Sequence, residues 1–201
     1  MANVNKPSGF TPVRYLNGAP WNGAANIYSI AASYGTELAI GDPVISSGTA
    51  DTNGVPGIAL AAATGAIRGV IIGLGRYEGL IANPSNLDTT KRPANDPNVW
   101  YALVVDDPAV VFEIQEKSNT VQLAATEVGL NTVPILAAAG TYCSGWLLAS
   151  TTDATAATTA TLPLRLLGLS RKSGNAFGAY AKWLVKINVH ELGTGTGAAG
   201  V

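Results

Sequence analysis

From residue 36 to residue 191 short apolar runs are broken again and again by Gly, Pro, Asn or Asp, and this punctuation constrains the fold more than any other feature. An amphipathic helix needs apolar positions at a 3.6-residue period held over several turns, whereas a half-buried strand needs only alternation. "KWLVKINVH" (182–190) alternates: Trp183, Val185, Ile187 and Val189 share one face. Lys182, Lys186, Asn188 and His190 share the other, with Leu184 the exception. "NVWYALVV" (98–105) and "AVVFEIQE" (109–116) are β-branched and aromatic runs whose close spacing predicts two adjacent strands joined by a turn. "TATLPLRLLGLS" (159–170) is a further run, in which Pro163 predicts an edge or a bulge. "DPVISS" and "PGIALAAA" flank "GTADTNGV", where Asn53-Gly54 is a hairpin signal, and "AIRGVIIGL" (66–74) follows at hairpin distance. "VQLAATEVGL" offers at most two helical turns before Gly129, and 87–98 is a long polar loop.

Many short strands of this kind predict an all-β chain, a jelly-roll-like sandwich or barrel with few or no helices. The boundaries drawn from sequence are an extended N-terminal arm over 1–35, a β-sandwich or barrel over 36–191, and a flexible tail over 192–201. Two small β-domains divided within 87–98 are the alternative.

The arm poses its own problem. "GFTPVRYLNGAPWNG" (9–23) is too broken for a helix and too apolar for a free tail. Its aromatics need a surface, which is either the chain's own domain or another subunit. Phe10, Pro12, Arg14, Tyr15 and Trp21 are therefore the candidate partner contacts, since interface anchors are often aromatic or Arg.

Only 12% of residues are charged and 47% are hydrophobic. The usual charged share is about 25%, so much of the surface is neutral and prone to associate. The net charge is −1, and the nearest thing to a basic run is Lys91-Arg92. Nucleic-acid binding, which requires a basic stripe, is not expected. The uncharged stretch 128–152 is interrupted by Asn131, Pro134, Gly140, Gly145 and several Thr, unlike the roughly 20 apolar residues of a membrane helix. The start "MANVNKPSGF" has no signal-peptide pattern, so a soluble protein made in the cytoplasm is expected.

Catalytic patterns are weak. "GLGRYEG" (73–79) sets its third glycine one residue late for a dinucleotide fingerprint, and Asn-Pro follows. His190 is the single histidine and no G-x-S-x-G elbow accompanies it. Asp106-Asp107 reads as a turn before proline. Glu113 and Glu116 are three apart and point to opposite faces of a strand, which disfavours a paired carboxylate site. Cys143 has no basic neighbour in sequence and reads as a small buried hydrophobe. No catalytic, cofactor-binding or metal-binding residue is expected.

The order of "MANVNKPSGFTPVRYLNGAPWNG", "IGDPVISSGTADTNGVPGIALA", "IRGVIIGL" and "TATLPLRLLGLSRKSGNAFGAYAKWLVKINVHEL" resembles small virion proteins of tailed bacteriophages, the head decoration or cement proteins. The resemblance implies a β-rich, often trimeric protein on the capsid exterior. Its partners would be the major capsid protein and copies of itself, and it would carry no catalytic residues. Other readings are a major capsid or tail structural subunit, and a β-jelly-roll carbohydrate-binding module.

Overall fold

The computed structural model describes residues 3–76, 89–136, 143–193 and 197–201. The chain is all-β, with one short 3-10 turn among the described residues, Ala125–Glu127, where two helical turns were the most expected.

In chain order the strands are β1 (Thr11–Tyr15), β2 (Asn26–Ile30), β3 (Leu38–Ala39), β4 (Pro43–Ala50), β5 (Pro56–Leu60), β6 (Gly69–Gly75) and β7 (Lys91–Arg92). There follow β8 (Trp100–Val105), β9 (Val110–Gln115), β10 (Asn131–Thr132), β11 (Pro134–Leu136), β12 (Trp146–Leu148), β13 (Leu164–Leu169) and β14 (Lys182–Ile187). They divide between a closed barrel, β2-β5-β4-β6-β8, and a five-stranded sheet, β1-β9-β14-β13-β10. Two ribbons, β3-β7 and β11-β12, complete the structure.

The Asn53-Gly54 turn joins β4 to β5 as its sequence predicts. Gly54 takes a φ of +82°, and the Asp51 carboxylate accepts the amides of Asn53 and Val55. Pro163, read as marking an edge or a bulge, lies just before β13, and the register shift falls between Leu166 and Gly168, inside the strand.

Three expectations are corrected. β8 and β9 do not pair: β8 closes the barrel against β2 and β6, whereas β9 lies between β1 and β14. Asp106 marks the parting: its carboxylate is held at the barrel, accepting from Asn26 Nδ2 at 2.8 Å and the Tyr28 hydroxyl at 2.5 Å. The polar loop contains strand β7, whose Arg92 is fully buried and donates to the carbonyls of Ala31, Tyr34 and Pro93; residues 87 and 88 lie outside the described residues. His190, expected on the polar face of its strand as a solvated or hydrogen-bonded residue, is buried, its Nδ1 accepting the Leu192 amide. The alternation of burial runs past the end of β14 to Val189 and breaks at His190, which bridges Ile67 beside the barrel.

The barrel interior is filled by Tyr28, Ile30, Val44, Ile58, Ile71 and Trp100 among others. A second core lies under the sheet around Phe112, Trp146, Leu164, Trp183 and Val185. Ala61, Ile67, Val70 and Val105 of the barrel side join it, so the two β-units share apolar contact.

Candidate interaction surface

The segment read as an extended N-terminal arm packs on the chain's own domain. Asn3 donates to the carbonyls of Ala176 and Ala179, and the amide of Lys6 donates to Gln115 Oε1. β1 then pairs antiparallel with β9, Thr11 opposite Glu113 and Tyr15 opposite Val110. The chain returns along the outer side of β1: Trp21 N–H donates to Val13 O and Tyr15 N–H to Ala19 O. This return covers the edge that a terminal strand would otherwise leave open. Residues 26–30, also inside the expected arm, are barrel strand β2.

The five candidate contacts are now separable. Phe10 is 2% exposed and meets Phe112 edge-on, ring centroids 6.1 Å apart, so it is a core residue and not a partner contact. The sequence does not announce this, since Phe112 lies about a hundred positions away. Pro12 is half-buried opposite Phe112 in the register. Arg14 is half-buried and donates to its neighbour's carbonyl, Tyr15 O. Tyr15 and Trp21 are half-buried against the sheet core, the Tyr15 hydroxyl donating to Asn22 and the Trp21 indole to Ala24 O. Both rings thus keep a solvent-facing side with their polar tips satisfied, as interface aromatics do.

Two residues that the sequence reading passed over complete the rim. The register slips between Pro12 and Arg14, so Val13 is the extra residue of a bulge and turns outward, 37% exposed. Leu16, at the turn, is 44% exposed. Exposed Val13 and Leu16 and half-buried Tyr15 and Trp21 are thus carried on one hydrogen-bonded hairpin.

The titratable groups are placed as follows. Glu113 faces outward and accepts Ser170 Oγ at 2.6 Å and Lys172 Nζ at 2.8 Å, with Lys182 at 3.8 Å. Glu116 faces inward, fully buried, accepting the Leu123 amide at 2.7 Å and the Trp183 indole at 2.9 Å. Burial pushes its carboxyl up to about 7, against the pull of those two donors. At the seam between the two β-units, Arg68 lies 3.8 Å from Asp106 and 3.9 Å from Glu191. Burial and the bond to Asp106 raise the Tyr28 hydroxyl, and burial lowers the His190 imidazole. Asp107 caps its own turn through the Ala109 amide, and Cys143 Sγ lies 3.4 Å from Pro7 O.

Of "GLGRYEG", residues 73–75 end strand β6 and 77–79 lie outside the described residues. Among the described residues no three His, Cys, Asp or Glu side chains converge as metal ligands. None of the described helices is long and apolar enough to cross a membrane. No protein-family model, no curated protein and no solved structure matches the chain.

Proposed function

We propose that the chain is a structural virion protein of the decoration, or cement, type, seated on the exterior of a bacteriophage capsid and bridging major capsid subunits, as a trimer. The observation that carries this reading is the pair of exposed apolar side chains, Val13 and Leu16, beside the half-buried rings of Tyr15 and Trp21, all presented on a hairpin already fixed to the sheet. A preordered hairpin loses little entropy on docking. Full burial of a Val or Leu side chain gains about 1.5–3 kcal/mol, less for one half-buried already. Small gains of that kind repeated over a closed shell sum through multivalency. The low charge density and the sequence resemblance support the same reading.

Copy number in purified particles, measured by quantitative mass spectrometry against the major capsid protein, tests it. A ratio near one is expected. A few copies per particle would favour a tail subunit, and absence from particles would end the structural reading. Deleting residues 1–23 is a poor probe of the hairpin, because it also removes Phe10 from the core and β1 from the sheet. The substitutions Val13→Asp and Leu16→Asp together leave both in place and are expected to abolish binding to heads. Undiminished binding would remove the hairpin from the interface.

A further inference from the structure

The fold separates charge in a way the net value of −1 conceals. Residues 24–108, which supply the barrel strands, carry eight acidic and four basic side chains; the rest of the chain carries five acidic and eight basic. Much of that excess lies on the outer face of the five-stranded sheet. Directly opposed residues share a face, and the register runs Arg14–Val111–Lys186–Arg165–Asn131 across all five strands. At about 4.8 Å between strands, three cations fall within roughly 14 Å.

Arg171, Lys172 and Lys182 extend the face, and its one carboxylate, Glu113, is taken by Lys172 and Lys182. Among the described residues Arg14, Arg165, Arg171 and Lys186 enter no ion pair. Arg165 and Lys186 are opposed in the register, an arrangement that costs stability when the charges are alike. Arg165 is met only by neutral oxygens: Asn131 Oδ1 at 3.1 Å and the carbonyls of Ala198 and Ala199. Beside this row lies an open groove of about 930 Å3, floored by Val128, Leu167 and Leu184 and walled by Arg14, Arg171 and Lys172.

The geometry points to this face as a docking site for an acidic segment of a partner protein, one in which carboxylates stand next to apolar side chains. Charge complementarity sets the sign of the occupant, since no carboxylate neutralises these four cations; Arg165 spends its Nε and Nη2 donors on neutral oxygens, which leaves Arg14, Arg171 and Lys186 to meet carboxylates. The apolar floor sets its class. A single-stranded nucleic acid would want aromatic platforms for its bases, and no aromatic side chain lines the groove. The inference does not depend on the decoration reading: Arg14 is shared with that hairpin, but the other cations of the row and groove come from β13, β14 and the segment after β13, and the argument holds for any protein partner.

Fluorescence anisotropy with labelled poly-L-glutamate as the probe, on the full chain at 50 and 300 mM NaCl, tests it. Saturable binding is expected at 50 mM, weakened at least tenfold at 300 mM. The Arg171→Glu/Lys186→Glu variant is expected to lose at least tenfold in affinity. Lys91→Glu, on the β3-β7 ribbon, is expected to change it less than twofold. In the double variant the new Glu at 186 faces Arg165, so the fold is retained, which a thermal melt checks. Arg171→Gln/Lys186→Gln is the milder version if it is not. No binding at 50 mM, or equal loss in Lys91→Glu, overturns the proposal. Tighter binding of a polyuridylate probe overturns it in favour of nucleic acid. Salt-sensitive self-association abolished by the double variant overturns it in favour of a second copy.

Discussion

Replacing Glu116 by Gln turns a buried carboxyl into a neutral group of the same size, and the consequence is a specific pH dependence. The carboxyl sits at the end of β9, fully buried, with the Leu123 amide and the Trp183 indole as its donors and no cation paired to it. Its value in the folded chain, about 7, stands above the ordinary 4.5. Between those two pH values the folded protein holds a proton that the unfolded chain has released. The stability associated with that proton is present in full below about pH 4.5 and is lost as pH rises through about 7. The gap corresponds to about 3 kcal/mol.

His190 works in the opposite direction over an overlapping range. Its buried ring resists the proton that an unfolded histidine takes up below about 6.5, so its contribution grows as pH rises toward that value. The wild-type profile alone therefore mixes two slopes, and the difference between wild type and Glu116→Gln isolates one. Urea unfolding followed by tryptophan fluorescence, from pH 4 to 8.5 at constant ionic strength, supplies both curves. The wild-type advantage over the variant should shrink by about 3 kcal/mol between pH 4.5 and 8. The amide keeps one acceptor for two donors, which adds a constant offset of about 1–3 kcal/mol without a slope. A difference that stays flat within about 0.5 kcal/mol, or that grows with pH, refutes the reasoning.

Phe10→Ala empties a site against Phe112 and should cost about 3–5 kcal/mol in the same unfolding assay. A cost below about 1 kcal/mol would mean that the N-terminal segment is not part of the core. Gly9→Ala puts a methyl 2.4 Å from Gly41 O and from the Ser144 side chain, at a φ of +65°, and should cost about 2–4 kcal/mol. Lys186→Glu alone replaces a like-charge pair with an attractive one opposite Arg165 and should raise stability by about 0.2–1 kcal/mol at low salt, read as a higher urea midpoint.

What the sequence makes legible is local. The alternation of 182–187 and the Asn53-Gly54 turn each involve residues within one strand or one hairpin, and both are found where the pattern places them. What it hides depends on strand order. The separation of β8 from β9 is invisible because their dividing turn looks like any Asp-Pro turn; only the bonds from Asn26 and Tyr28 to Asp106 show that it leaves the barrel. The burial of Phe10 is invisible because its partner comes from β9. The cationic row is assembled from β1, β13 and β14, and no scan for basic runs along the chain detects charges aligned only by register. Val13 was missed because a bulge turns it out of the alternation.

The place of β1 also sets a timetable. Thr11 pairs with Glu113, and Glu113 with Leu184, so β1 adjoins a strand made about a hundred residues later and a sheet completed later still. At roughly 5–20 residues per second that interval lasts on the order of 5–20 s on the ribosome. Throughout it, Phe10 and the edge of β1 have no native surface to occupy. When β9 does emerge, the β1 of a neighbouring nascent chain can compete for the same edge. Yield of correctly folded chains should therefore fall with refolding concentration more steeply than stability alone would suggest, with exchange of β1 between copies as the characteristic error.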